Sequence, residues 1–198
     1  MPDILVTGFD PFPGVPHNPT AEIAAALNDR PPESGPVHAV VLPTSFERAP
    51  VKLGEAIADP ELRAILCLGV AVGVRDFRIE QWARNYRRPG RPDNDGPSHR
   101  GGALAPNGPG TYATTLPVAE LLDALHRVGI PANPSVTAGS YVCNAIFYHA
   151  MRMAAARKKP TRAGFIHIPQ AAEQGGALPF ADLERGVRVV IDVLRALP

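Results

Sequence analysis

The stretch "AILCLGV", residues 64–70, decides the fold class. It is apolar on both of its alternating faces, which is typical of a strand in a parallel sheet that helices cover on both sides. Three similar runs lie outward from it: "DILVTG" at 3–8, "VHAVVLP" at 37–43 and "AGFIHIP" at 163–169. The run "PSVTAG" at 134–139 is predicted to be a strand as well.

Segments with helical periodicity alternate with these strands. Helices are predicted at residues 20–28, with Thr20 as the N-cap, and at 49–59 and 117–129. A further helix carries the second cysteine, and the last helix spans 180–196. Repeated alternation of strand and helix predicts an α/β fold, in which a mostly parallel twisted sheet has helices on both faces.

The bulk composition fits one ordinary domain over residues 1–198. Charged residues make up 20% of the chain and the net charge is +1, so nothing favours binding to nucleic acid or to a strongly acidic partner. No apolar run approaches the length of a membrane span, and the first residues lack the pattern of a signal peptide. Two cysteines are too few for a disulfide framework, so we expect a cytoplasmic protein.

One region interrupts the alternation. Residues 76–110 are rich in Pro, Gly, Asn and Asp and are predicted to be irregular. Long connections in compact domains are usually functional or mobile. Ligand sites in α/β sheets lie beyond the carboxyl ends of the strands, so five segments are candidates to carry chemistry. These segments are 7–14, 43–44, 69–73, 139–144 and 167–169.

Cys143 is the most informative residue in these segments. The sequence "AGSYVCN", residues 138–144, places its thiol in the first turn of a helix. Unpaired N–H groups and the helix dipole stabilise a thiolate there, which makes a thiol a better nucleophile. The alternative, a cysteine that only fills apolar space, stays open from position alone. Cys67 lies in the middle of a strand and is expected to be a packing residue.

A nucleophilic cysteine needs a base, and the base usually needs an orienting group. Among the six histidines, His167 lies near the carboxyl end of a predicted strand and is the candidate base; a structural histidine is the alternative. Glu80, in "RIEQWARN", is the candidate orienting carboxylate; the alternative is a surface glutamate paired with Arg78 or Arg84. No pair of Cys or His residues has zinc-ligand spacing, so no metal site is expected.

Eight motifs carry a resemblance to a known family. They are "LVTGFDPFPG", "NPT", "LPTSF", "RIEQWARN", "RPDNDG", "TYATTLP", "AGSYVCN" and "GFIHIP", in order over nearly the whole chain. Together they resemble pyrrolidone-carboxylate peptidase, also called pyroglutamyl peptidase I. The resemblance implies a single-domain three-layer α/β/α sandwich and a cysteine peptidase that removes an N-terminal pyroglutamyl residue from peptides. It also implies that no cofactor is used and that the chain forms a homo-oligomer, commonly a homotetramer.

The resemblance also implies roles for individual residues. The family's nucleophile, histidine and glutamate fall on Cys143, His167 and Glu80. Phe9 and Phe12 fall where two phenylalanines flank the pyroglutamyl ring. The other positions that line or support the ring pocket are Asn18, Thr44, Tyr141 and Val142. In the implied reaction the thiolate attacks the pyroglutamyl carbonyl, and water then clears an acyl-enzyme.

This sequence departs from the family pattern in two places. The usual "GFEPFGG" is here "GFDPFPG", so that Pro13 replaces a glycine and stiffens the loop. The usual "ARIPDN" is here "GRPDN", where Gly90 replaces the arginine and Arg91 follows it. Val74 also stands where an arginine is usual, with Arg75 beside it. We expect an altered pocket rim unless a small backbone shift returns both arginines to the family positions.

Two other hypotheses remain at this stage. In the first hypothesis, the chain is a relative that keeps the fold and binds pyroglutamate without turnover. Only the altered "GRPDN" segment supports it. Alternatively, it is a nucleoside phosphorylase or another hydrolase with the same sheet layout, because fold alone does not establish function. The lack of a basic phosphate site argues against the phosphorylase.

Overall fold

The computed structural model of the chain describes residues 3–96 and 101–197. The strands over these residues are β1 (Ile4–Phe9), β2 (His38–Leu42), β3 (Ala64–Ala71), β4 (Phe77–Glu80), β5 (Trp82–Arg84), β6 (Thr111–Ala113), β7 (Ala132–Ser135) and β8 (Arg162–Pro169). The helices are α1 (Pro19–Asp29), α2 (Arg48–Ala56), α3 (Val118–Arg127), α4 (Val142–Ala155) and α5 (Phe180–Ala196), with a short 3₁₀ helix at Ala172–Gln174.

Six strands form one mixed sheet in the order β2-β1-β3-β8-β4-β7, and β5 and β6 form a separate two-stranded sheet. The strands β1, β2, β3 and β8 are parallel to one another. β4 runs antiparallel to β8, and β7 is parallel to β4. The predicted α/β fold with a mostly parallel sheet is confirmed.

The direction of β7 corrects one detail of the sequence prediction. The strand predicted at 134–139 instead spans Ala132–Ser135, and it runs opposite to β3 and β8. Its carboxyl end therefore does not lie at the edge where β1, β3 and β8 end. Residues 136–141 bring the chain to the start of α4.

The region predicted to be irregular contains two strands. β4 lies inside the main sheet, and its sequence "FRIE" alternates between buried apolar and polar side chains, with Phe77 and Ile79 buried on one face. β5 pairs with β6 beside α4. The prediction of an irregular segment over 76–110 is therefore wrong in part, because the abundant Pro and Gly of the later residues obscured a short period-2 pattern. His99, one of the six histidines and part of the segment predicted to be irregular, lies outside the described residues.

Helices cover both faces of the sheet. α1, α3 and α5 pack on one face and α2 and α4 on the other. Alternate residues of β3 supply both cores: Leu66 and Leu68 face the first layer, while Ile65 and Cys67 face the second. This two-sided burial explains why the strand is apolar throughout, and the fully buried Cys67 is a packing residue as expected.

The N-cap of α1 lies two residues before the predicted one. Asn18, not Thr20, is the N-cap. Pro19 follows it in the first helical turn, where the N–H that proline lacks would have no partner within the helix. The Asn18 Oδ1 atom accepts a hydrogen bond from the Thr20 N–H, at 3.1 Å, and another from the Thr20 hydroxyl, at 2.8 Å. The predicted bounds of the last helix, 180–196, are confirmed. Over residues 3–96 and 101–197, no helix combines the length and the apolar composition that crossing a membrane requires.

The contact between β1 and α1 leaves no room for a side chain at Gly8. A Cβ atom at that position would lie 2.1 Å from the backbone oxygen of Thr20. We expect Gly8→Ala to lower the free energy of unfolding by about 3 kcal/mol, the upper range for an overpacked core. Gly110→Ala is the control, since a Cβ there meets nothing within 4 Å. Urea unfolding of both variants measures the difference, and equal stability would contradict this account.

Candidate active site

Cys143 lies in the first turn of α4, at the edge where β1, β3 and β8 end. Tyr141 is the extended N-cap residue, and Gly139, with φ of 80°, makes the turn before it. The thiol is half-buried. Its Sγ atom would lie only 3.1 Å from a Cβ atom on Gly69, so the missing side chain of Gly69 makes room for the sulfur above β3.

His167 lies beside this thiol because β3 and β8 are paired in register. Its Cα partner on β3 is Gly69, the residue over which the sulfur sits. The imidazole is buried, with only 8% of the residue exposed, and its ring lies 4.8 Å from that of Phe165. Its Nδ1–H group donates a hydrogen bond of 2.8 Å to the Oε1 atom of Glu80.

Glu80 reaches the imidazole because β4 is antiparallel to β8. In this register Glu80 pairs with Phe165 and Arg78 pairs with His167, so Glu80 is a diagonal neighbour of His167 on the same face. Only 1% of Glu80 is exposed. The alternative of a surface glutamate paired with arginine does not fit this burial, and Arg78 instead pairs with Asp76 at 3.2 Å.

Opposing effects act on the pKa of His167. Burial lowers the pKa by desolvating the imidazolium, but hydrogen bonds to the Cys143 thiol and to Glu80 raise it more, to about 9. The imidazole therefore holds its proton at neutral pH. Cys67 behaves in the opposite way to a reactive thiol, because burial raises its pKa to about 12 and keeps it protonated.

The two phenylalanines predicted to flank a ring lie at the end of β1 and in the loop after it. Phe9 is buried, and its ring lies 6.5 Å from that of Phe165, which in turn contacts His167. Phe12 is half-buried and forms a backbone bridge with Val15. Phe9 is thus connected to the imidazole through one intervening ring.

Asn18 and Thr44 are buried and hold the loop between these phenylalanines in place. Both bind the backbone oxygen of Asp10: the Asn18 Nδ2–H group donates at 3.1 Å and the Thr44 hydroxyl at 3.2 Å. The Asp10 carboxylate accepts from the Thr44 N–H, at 2.7 Å, and from the side-chain amide of Asn94, at 3.2 Å. Asp10 therefore joins three loops at the rim, a role that the sequence analysis missed.

Tyr141 and Val142 immediately precede the cysteine. Val142 is buried, and the Tyr141 hydroxyl donates a hydrogen bond of 2.9 Å to the backbone oxygen of Pro92. The guanidinium group of Arg91 lies 4.1 Å from the centre of the Tyr141 ring. Arg91 therefore forms part of the rim, and Gly90 permits this course of the chain with its φ of 83°.

The segment around Asp93 and Asp95 is fastened to the start of α2. Asp93 accepts from the N–H of Phe46 at 2.8 Å, and Asp95 binds both the hydroxyl of Ser45 and the guanidinium of Arg48. This network keeps the "RPDNDG" motif against the Thr44 loop. Its signal in the sequence is the pair of aspartates in a turn, which the sequence analysis did not use.

Other histidines have different surroundings. The His126 Nε2 atom lies 2.8 Å from the backbone oxygen of Ala132, and His149 lies edge-on to the ring of Tyr148. Burial lowers the pKa of His149, which disfavours its charged form. No group of three or more His, Cys, Asp or Glu side chains within residues 3–96 and 101–197 has the geometry to hold a metal ion.

A family model and individual sequence relatives of the chain all belong to one family. The family model of pyroglutamyl peptidase matches residues 2–191. A pyrrolidone-carboxylate peptidase of Streptococcus suis is 36% identical over 96% of this chain and 91% of its own length. One from Brevibacillus brevis is 40% identical over 88% of this chain and 81% of its own.

Solved structures agree with the sequence relatives. The pyroglutamyl peptidase I of Bacillus amyloliquefaciens is 32% identical, with a TM-score of 0.92 over 100% of this chain and 97% of its own. A mutant pyrrolidone carboxyl peptidase from P. furiosus is also 32% identical, with a TM-score of 0.90 over 96% of this chain and 97% of its own.

The two cysteines should differ sharply in reactivity. Cys143 is half-buried beside an imidazolium, whereas Cys67 is buried and protonated, so iodoacetamide should modify Cys143 more than ~100-fold faster at pH 7. Peptide mass spectrometry of the native protein measures both rates. Cys67→Ala is the control and should leave the modification of Cys143 unchanged. Similar rates at both thiols would contradict the environments described above.

The titration of His167 should reflect its two partners. We expect its NMR titration midpoint near pH 9 in the free protein, with the imidazolium present below that pH and lost above it. Glu80→Gln removes one hydrogen bond that raises the pKa, so the midpoint should move to lower pH. Glu120→Gln, at an exposed position on α3, is the control and should leave it in place. An unchanged midpoint in Glu80→Gln would rule out coupling between the two groups.

Proposed function

The chain belongs to the pyroglutamyl peptidase family, and from this premise we propose that Cys143, His167 and Glu80 form its catalytic triad. As a member of this family it is a cysteine peptidase that acts on N-terminal pyroglutamyl residues. The observation that carries the triad is the buried 2.8 Å hydrogen bond from His167 to Glu80, with the Cys143 sulfur over the register partner of His167.

The proposed reaction starts from a thiolate–imidazolium pair. This pair forms when the thiol proton of Cys143 passes to the neutral imidazole of His167, whose raised pKa of about 9 retains that proton at neutral pH. The Cys143 thiolate then attacks the carbonyl carbon of the pyroglutamyl residue, and a carbon–sulfur bond forms. Glu80 accepts the Nδ1–H bond, which orients the ring and stabilises its positive charge.

The tetrahedral intermediate needs hydrogen-bond donors for its oxyanion. The first N–H groups of α4 have no partner within the helix, so the backbone N–H of Cys143 is the proposed donor. Removing one such donor typically lowers the rate by ~100-fold or more. The carbon–nitrogen bond then breaks while His167 protonates the leaving amine. Water hydrolyses the thioester, releasing pyroglutamate and restoring the thiol.

The ring pocket is proposed to lie on the β1 side of the thiol. Phe9 and Phe12 suit a flat lactam that carries no charge, because its nitrogen is an amide. A free ammonium group in the same place would lose its water without gaining a counter-charge. Asn18, Thr44, Tyr141 and Val142 complete or support this pocket, and their contacts fasten the loops that carry the two phenylalanines.

Two further expectations belong to the same proposal. We place the protein in the cytoplasm, since two free cysteines fit a reducing compartment. We also propose that it forms a homo-oligomer, a dimer or a tetramer, as the family resemblance implies. Neither is needed for the chemistry of the triad within one chain.

Replacement of the nucleophile tests the proposal directly. Cys143→Ala should lower the hydrolysis of a pyroglutamyl naphthylamide by at least ~10⁴-fold, as removal of a catalytic nucleophile does elsewhere, while circular dichroism stays unchanged. Cys67→Ala is the matched control, because it removes a thiol from the core and should keep turnover. Retained activity in Cys143→Ala would refute the nucleophile. Binding of pyroglutamate by the wild type without any cleavage would instead favour the relative that binds without turnover.

A further inference from the structure

Three residues stand side by side across the centre of the sheet. Gly69 on β3 pairs with His167 on β8, and His167 pairs with Arg78 on β4. The Cys143 sulfur lies over Gly69, so the thiol is on one side of the imidazole and Arg78 is on the other. Directly paired residues lie on the same face of a sheet, and here it is the face that α4 covers. Arg78 shares this face with Glu80, two residues further along β4, whose carboxylate binds His167.

The proposed reaction determines the direction in which a bound peptide crosses these three residues. The pyroglutamyl ring is placed on the β1 side, near Phe9, and the attacked carbon is placed at Cys143. The amine that leaves receives its proton from His167, so the peptide beyond it extends toward β4. Arg78 lies one strand spacing of ~4.8 Å beyond His167. An extended residue spans at most ~3.6 Å, so the backbone of the first leaving residue stops short of β4, and its carboxylate meets Arg78 through the length of the arginine side chain.

Arg78 is held in a way that leaves donors for a ligand. Its Nε–H group donates to the Oδ1 atom of Asp76 at 3.2 Å, and the Asp76 Oδ2 atom accepts from the side-chain amide of Asn133 at 2.7 Å. Asp76 therefore accepts from two donors, and among residues 3–96 and 101–197 the terminal nitrogens of Arg78 form no hydrogen bond. The Arg78 side chain is 45% exposed.

The surroundings of Arg78 carry a net positive charge. A groove of about 610 Å³ runs along Arg78. Its polar lining is Arg75, Asp76 and Asn133, and its apolar lining includes Val74, Pro131, Ala177 and Leu178. Two guanidinium groups and one carboxylate leave one positive charge. Arg75 is exposed, and within the described part of the chain it has no ion-pair partner. The two guanidinium groups give this groove the charge to bind an anion.

We propose that Arg78 is a specificity-determining residue that binds a carboxylate of the leaving peptide. The carboxylate is either the acidic side chain of the residue after pyroglutamate or the C-terminal carboxylate of a dipeptide. Arg78 binds it through its terminal nitrogens, with Arg75 adding positive charge. The inference rests on the proposed function, since it uses the placement of the ring, the attacked carbon and the leaving amine.

Three matched substrates test it. They are pyroglutamyl-alanine amide, which is neutral, pyroglutamyl-aspartate amide, and pyroglutamyl-alanine with a free carboxylate. The wild type should cleave at least one of the two carboxylate substrates with a higher kcat/KM than the neutral amide. In Arg78→Gln the ratio of acidic to neutral kcat/KM should fall about two- to fivefold, the range for a partly exposed charge pair. The substrate whose ratio falls identifies the source of the carboxylate.

Other variants separate a specific contact from a general change. Arg78→Lys keeps the charge and should restore part of the ratio. Arg30→Gln is the control for net charge, because Arg30 lies 73% exposed at the far end of α1, and it should leave the ratio unchanged. Arg91→Gln tests the other arginine at the rim. A fall in the ratio of acidic to neutral kcat/KM in Arg91→Gln but not in Arg78→Gln would overturn the assignment.

The outcomes also distinguish this inference from the proposed function. If the wild type cleaves none of the three substrates, the proposed function fails. If it cleaves the neutral amide but shows no preference for a carboxylate, only the role of Arg78 fails. An equal loss for all three substrates in Arg78→Gln would mean a structural effect, and it too would overturn the assignment.

Discussion

The hydrogen bond between His167 and Glu80 is the interaction on which the arrangement of this site depends. Both groups are buried, and a carboxylate that leaves water without a partner is strongly unfavourable. The bond forms because β4 enters the sheet antiparallel to β8, which makes Glu80 a diagonal neighbour of the imidazole. A parallel β4 would have a different register, so the direction of this strand determines the geometry of the hydrogen bond as well as the fold.

Packing and electrostatics act together at the thiol. Gly69 leaves the space that the sulfur of Cys143 occupies. The ring of Phe165 packs against both Gly69 and the imidazole of His167. Burial alone would drive the proton off His167, yet its two hydrogen-bond partners outweigh desolvation. The site therefore keeps a proton at the place where the proposed leaving amine needs one.

Sequence reasoning reached the layers and the last helix, because both depend on local periodicity. It also named Cys143, His167 and Glu80, whose catalytic roles remain a proposal. It missed what depends on tertiary pairing. The four residues of β4 alternate clearly, but their direction is decided by β8, which lies more than 80 residues away in the chain. The cap of α1 went to Asn18 because Pro19 follows it, and the role of Asp10 becomes visible only when three loops meet.

The contacts of Asp10 have a consequence for how a ligand meets this protein. One side chain and its backbone oxygen tie together the loop after β1, the loop before α2 and the segment around Asn94. Because these loops are already ordered around a common anchor, little conformational entropy remains to be lost when a ligand enters. The rim should open and close as one cooperative unit, so hydrogen exchange in any of the three loops would report on all of them.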